Sequence, residues 1–247
     1  MGGLFLLNTL GIMVVNVWRV FWPALLIVLG LWVLINVMAG PARAERADVY
    51  IPLQGAQKGH VHLRYGAGRL AVSAGAREGE LLGGTFEGGI DYRTRRTESG
   101  LEAILSSTSG PFFLWPQGPR EWHVNLTNAV PLSLDIEVGA AEARYDLTDL
   151  RVTDLKLETG ASETELTLPA RAGFTRARIK SGAAEVRVHI PEGVAARIKA
   201  TGGLADIQVD SSRFPRQGDV YWSANYDSAE HKVEIDAETG VGSLKIN

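Results

Sequence analysis

The same kind of corner recurs along the second half of this chain: Gly139-Ala140, Gly160-Ala161, Gly182-Ala183 and Gly202-Gly203. The leading glycines stand 21, 22 and 20 residues apart. On either side of each corner apolar and polar residues alternate. Leu132-Ser-Leu-Asp-Ile-Glu-Val precedes Gly139, and Ala141-Glu-Ala-Arg-Tyr-Asp-Leu147 follows it. A period of two marks half-buried strands, with one apolar face and one charged face. A unit of about twenty residues cannot bury its apolar face alone, but it can against an identical neighbour. Glycine at each corner permits a tight turn or a positive φ, and the small residue after it lets successive corners stack. Weaker copies open and close the domain at Gly66-Ala-Gly68-Arg-Leu70 and Gly240-Val-Gly242-Ser-Leu244, while Pro169 and Pro191 end strands. No sustained helical period follows residue 48. The expected fold is all-β, a right-handed β-solenoid or stacked β-sandwich with about two strands per coil.

Two segments break the rhythm. Residues 76–121 hold Gly83-Gly84, Gly88-Gly89, Arg93-Thr-Arg-Arg96 and Pro111-Phe-Phe-Leu-Trp-Pro116; residues 211–229 hold Phe214, Tyr221, Trp222 and Tyr226. Both are expected to be irregular strands and loops that include caps, whose inner surface needs large apolar side chains. The arginine run fits a solvated loop or a guard on an edge strand.

Ahead of the repeats, residues 1–40 contain one charged side chain, Arg19. Val20 to Ala39 is an uncharged stretch of twenty residues, enough to cross a hydrocarbon core of about 30 Å as a helix. Trp18 and Trp22 suit the interfacial level, and Pro23 falls in the first turn of a helix that starts at Val20. Leu4 to Val17 is short for a span, so the leader reads as a transmembrane helix or a short helical hairpin. Ala42-Arg43-Ala44 is an A-x-A pattern that a signal peptidase recognises, but the apolar stretch exceeds the usual 7–15 residues of a signal peptide. The expected division is a transmembrane region over 1–40, a linker over 41–48 and the β domain over 49–247. Inserted as a hairpin in the bacterial cytoplasmic membrane, with Arg43 and Arg46 just after it, the leader puts the β domain on the cytoplasmic side.

The chain has 247 residues, a net charge of −3 and no cysteine, which removes disulfides, thiolate metal sites and cysteine catalysis. A slightly acidic domain also argues against nucleic-acid binding. Gly66-Ala-Gly68-Arg-Leu-Ala71 satisfies a relaxed dinucleotide pattern, but a strand follows it where a helix is required. His60 and His62 share a strand face without an identifiable third ligand. Asp146, Asp149 and Asp154 suggest carboxylate catalysis, yet their spacing fits a turn in which Asp bonds its own backbone. No catalytic, cofactor-binding or metal-ligating residue is assigned, and no cofactor is expected.

The leader, with Leu6-Leu7-Asn8-Thr9-Leu10-Gly11 and Phe21-Trp22-Pro23 running on to Gly30-Leu31-Trp32, resembles the LiaI/LiaF-like transmembrane region. The β domain resembles the toast-rack domain of LiaF-like proteins at Gly66–Leu70, Val130–Leu134, Asp146–Leu150, Thr159–Ser162 and Pro191-Glu-Gly193. The resemblance implies a membrane-anchored, non-enzymatic regulator of the envelope response to cell-wall-active antibiotics. Its implied partners are the lipid bilayer and a membrane protein such as a sensor kinase. Self-association as a structural or adhesin-like module is the alternative.

Overall fold

The computed structural model describes residues 17–38, 46–98, 100–107 and 120–247, which fall into a helical unit and a β unit. Leu4–Asn16, Ala42-Arg43-Ala44 and Pro111–Pro116, all singled out in the sequence, lie outside the described residues.

Helix α1 (Val17–Met38) carries no acidic residue in its first turn and no basic one in its last. Its 22 residues give a length of about 33 Å at 1.5 Å each. Because the helix starts at Val17, Pro23 lies inside it and not in the first turn. The chain there gives up one i→i−4 hydrogen bond. Every described side chain from Phe21 to Trp32 is exposed, including Leu26, Ile27 and Val28 at 60–67%. Among the described residues, no helix is long and apolar enough to cross a membrane.

The β unit is one sheet of thirteen strands: β1 (Arg46–Pro52), β2 (Gly59–Ala74), β3 (Glu80–Glu87), β4 (Ile90–Thr97), β5 (Gly100–Ser107), β6 (Glu121–Leu126), β7 (Leu132–Asp146), β8 (Val152–Thr167), β9 (Phe174–His189), β10 (Ala195–Val209), β11 (Arg216–Gln217), β12 (Val220–Trp222) and β13 (Lys232–Ile246). The six long strands run parallel in the order β2-β7-β8-β9-β13-β10. Each bends at its glycine corner, where the alternation slips by one residue. On β7, Leu132, Leu134, Ile136 and Val138 are buried before the corner, and Ala141, Ala143 and Tyr145 after it. The slip turns the apolar sides of both halves into one continuous core. This is the expected glycine-cornered solenoid.

Spatial order departs from chain order at both ends. β2 lies between β7 on one side and β5 and β6 on the other, and β13 lies between β9 and β10. β4 covers β5, β3 covers β6 and β1 covers β3, so residues 76–121 contain regular strands where irregular structure was expected. Phe86 and Phe214 are fully buried, as cap residues should be. Trp122 is wedged between Tyr65 and Phe86 at centroid distances of 5.0 and 4.9 Å. Past the strand ends, the amides of Leu147, Leu168 and Ile190 continue the ladder, donating to the carbonyls of Thr167, His189 and Asn247. Their side chains close the core.

The corners stack backbone on backbone. A methyl built on Gly139 would strike the carbonyl oxygen of Gly66. One on Gly160 would come within 2.6 Å of the Gly139 oxygen, one on Gly182 within 3.1 Å of Gly160, and one on Gly240 within 2.6 Å of Gly182. None of these glycines has a positive φ, so close approach, not a left-handed backbone, makes glycine necessary. Beside this ladder runs a buried polar row in which the Ser181 hydroxyl donates to Thr239 and the Thr159 hydroxyl donates to Ser162.

In a strand, alanine ordinarily gains about 0.5–1 kcal/mol over glycine. Here the clash reverses the sign: Gly160→Ala should lose about 1–3 kcal/mol in urea unfolding. Gly66→Ala, whose methyl meets only the Ser107 hydroxyl at 3.4 Å, should cost much less.

Burial also raises two phenols. Tyr65 is pushed up to about 12 by desolvation, although its hydroxyl donates to the carbonyls of Arg69 and Arg120. Tyr145 is raised further, again by burial, and its hydroxyl has no partner. The unfolded chain releases these protons from pH 10.0 upward while the folded chain keeps them, so unfolding gains. Stability should hold below pH 10.0 and fall as the pH rises through about 12. Tyr145→Phe, which removes an unsatisfied buried hydroxyl, should add about 1 kcal/mol at neutral pH and make the alkaline fall shallower.

Candidate interaction surface

In-register parallel stacking lines up the outward positions of successive repeats in rows. In the first half of each strand, one row reads His62, Asp135, Lys156, Arg178, Asp236, Lys199. Lys156 lies 3.4 Å from Asp135 and 3.1 Å from Glu158, and its hydrogen bond to Glu158 holds the ammonium above its ordinary pKa. The next row brings Arg176 and Arg197 to Glu234 at 3.8 and 2.6 Å. A cavity of about 280 Å³ lies among Arg176, Arg178, Arg197 and Lys199, over Glu234 and Asp236. Trp222 borders this cluster, with its ring 5.8 Å from the Arg197 guanidinium.

The second halves are more acidic. Glu142, Glu163 and Glu185 stand side by side on β7, β8 and β9, and the same row continues through Ser243 to Asp206. Arg187 reaches Glu163 at 3.0 Å, Glu165 at 3.4 Å and also Glu185; these carboxylates, Glu163 foremost, raise its pKa. Arg144 bridges Glu142 and Glu165, each at 3.3 Å. Between the two faces, the absent side chains of the corner ladder leave an open trough of about 750 Å³, flanked by Glu158, Lys180 and Glu238.

The residues flagged in the sequence do not converge. Asp146 accepts from the amide and hydroxyl of Thr148 at 3.1 and 2.6 Å, as an Asp in a turn does. Asp154 lies on β8 in register with Ser133 and Arg176, and Asp149 lies in the turn between β7 and β8. His62 sits 3.4 Å from Glu102 and 3.6 Å from Asp135, while Nε2 of the neighbouring His60 is buried without a partner. Among the described residues, no three His, Cys, Asp or Glu side chains form a metal-binding group. Gly66 and Gly68 belong to the corner of β2, with no helix after them. Arg95 pairs with Glu102 at 2.7 Å and Arg96 donates to the Gln54 carbonyl, so the arginine run lies along the β4 edge.

The sequence did not reveal the uneven ends. β12 covers the first half of β10, at Arg197–Lys199. Beyond the corner, among the described residues, β10 pairs with β13 alone. Leu204 on this edge is 84% exposed and its register neighbour Val241 52%.

Two family models match this chain. The N-terminal domain of toast_rack (DUF2154) covers residues 40–189, and the LiaI-LiaF-like transmembrane region covers residues 1–34. The chain belongs to the toast-rack family. Its leader has the sequence of that membrane region, which supports contact with a lipid bilayer. The crystal structure of a "putative cell adhesion protein" from Clostridium sporogenes shares the fold, with a TM-score of 0.75 over 83% of this chain and 99% of that one, at 22% identity. No curated protein matches it. Neither family model is described by a reaction.

Because the Arg187 side chain is about half open to solvent and its partners are surface carboxylates, its role is electrostatic and screened by salt. Arg187→Gln should lower the melting temperature at low ionic strength, where Glu163, Glu165 and Glu185 then repel one another. The deficit should close in about 1 M salt, where the screening length is roughly 3 Å. A deficit that persists there would mean that Arg187 acts through packing.

Proposed function

We propose that this chain is a membrane-anchored, non-enzymatic regulator or scaffold in the bacterial envelope-stress response to cell-wall-active antibiotics. It works by protein–protein contact and restrains a sensor kinase, with the β domain on the cytoplasmic side. One observation carries the reading: a leader matching the LiaI-LiaF-like transmembrane region is joined to a toast-rack domain. An apolar helix with every described side chain exposed is suited to lipid and not to water. The stacked domain is suited to contact, since its charges are spread in rows over two faces. Arg43 and Arg46, just after the leader, support the cytoplasmic orientation.

A second reading, a self-associating adhesin-like module, draws on the name of the Clostridium structure and on the uncovered edge of β10. The two readings part in cells. Deleting the gene should raise the basal stress response. The full chain should restore restraint, and so should the chain carrying Asp146→Asn and Asp154→Asn. The β domain without its leader should fail to do so. An unchanged response on deletion overturns the regulatory reading, and loss of restraint in the carboxylate variant revives catalysis. A reporter active only outside the cytoplasm, fused after Asn247, should stay silent.

A further inference from the structure

The two ends of the solenoid are finished differently. At the β5/β6 end both halves of the last coil have an outer neighbour, β4 on one and β3 on the other. At the β10 end only the first half does, and Gly203–Val209 has β13 on one side and no described strand on the other. Successive residues of a strand in a parallel sheet direct their main-chain groups to opposite neighbours. The amide of Asp210 donates to the Ile246 carbonyl of β13, so the alternate residues Ala205, Ile207 and Val209 turn theirs outward.

Two further features set this edge apart. The row just after the corner is alanine at Ala67, Ala140, Ala161 and Ala183, then becomes Val241 and finally Leu204. The side chain enlarges toward the edge, where it is most exposed, and forms an apolar step. The outward residues are Asp206, Gln208 and Asp210. Asp206 ends the row of Glu142, Glu163 and Glu185. Asp210 is held in a turn, accepting from the amide and hydroxyl of Ser212. Elsewhere on this face the carboxylates are answered by Arg144 and Arg187, on their own strands and on adjoining ones. Asp206 instead accepts from the neutral Gln208 side chain at 2.7 Å, and no described strand flanks it on the outer side.

We infer that the edge Gly203–Val209 docks an extended segment of a partner protein that alternates apolar and basic residues, adding the missing half-coil. Main-chain hydrogen bonds supply the pairing, and the alternate side chains set the choice of partner. The apolar residues extend the row of Ala205, Ile207 and Val209, and a basic one meets Asp206. A second copy fits worse, because an antiparallel match over Gly203–Val209 sets Asp206 against its own counterpart. The inference rests on the reading of the chain as a protein-contact regulator and names the surface that makes the contact.

The test uses the full chain in detergent micelles and a labelled peptide of about seven residues alternating Val and Lys, the length of one half-strand. Its anisotropy should rise on binding, while a Val/Glu peptide should bind about tenfold more weakly. Asp206→Lys, at an exposed position, should reverse that preference, and Ala205→Pro, which removes an outward amide, should abolish binding of either peptide. Unchanged circular dichroism shows that both variants are folded. No binding, or equal binding to Asp206→Lys, overturns the docking edge. So does sedimentation as a dimer that Leu204→Asp dissolves, which assigns the edge to a second copy. If the peptide fails while the full chain still restrains the stress response, the edge is refuted and the regulatory reading survives. If the peptide binds while deletion leaves the response unchanged, the regulatory reading falls alone.

Discussion

Each coil of this domain rests its corner glycine on the backbone of the next, and the rest of the structure depends on that approach. The closeness of Gly66, Gly139, Gly160, Gly182 and Gly240 fixes how strands bend and how they register. Once the corners are stacked without offset, every residue is paired with its equivalent in the adjoining repeat. The core rows, the buried Thr159–Ser181–Thr239 row and the charged rows outside are all products of that one alignment. A slip of one residue would exchange the inner and outer faces along a whole strand.

The same alignment explains the surface. In the parallel stack Arg187 meets Glu185 of its own strand and both Glu163 and Glu165 of the neighbouring one. Long-range order therefore comes from the backbone, and the ion pairs follow it. Pairs exposed to this degree contribute little to stability. Their consequence is a surface whose pattern of charge follows the register of the stack.

Much of the fold was legible in the sequence. The glycine spacing and the alternation around it identified the long strands, their corners and the inward residues, because both signals are local. Strand order at the ends was not legible. The corners Thr239-Gly240 and Thr201-Gly202 look alike as text, yet it is Gly203, one residue on, that stacks on Gly240; only packing decides this and that β13 lies inside β10. The strands β3, β4 and β5 were hidden because Gly83-Gly84 and Gly88-Gly89 look like loop residues; in fact Gly83 and Gly84 lie within β3, where a side chain on Gly84 would strike the carbonyl of His123. The exposed edge was hidden for a related reason. Leu204 reads as one more apolar residue after a corner; its register row, Ala140, Ala161, Ala183 and Val241, is exposed on each of these strands, and only strand order makes β10 the edge. Asp146 was readable as a turn residue because its partners lie two residues away.

The placement of β13 also governs the sequence of assembly. β10 comes earlier in the chain, yet its parallel neighbour is β13, so the rung between β9 and β10 stays vacant until β13 has been made and threaded in. Growth by simple addition of each new coil to the last therefore stops at β9. The closing step joins residues far apart in the chain, the kind of contact that slows folding. Until then the edge of β9 is bare. A nascent domain of this design is vulnerable to wrong pairing at the very edge that the finished domain keeps inside.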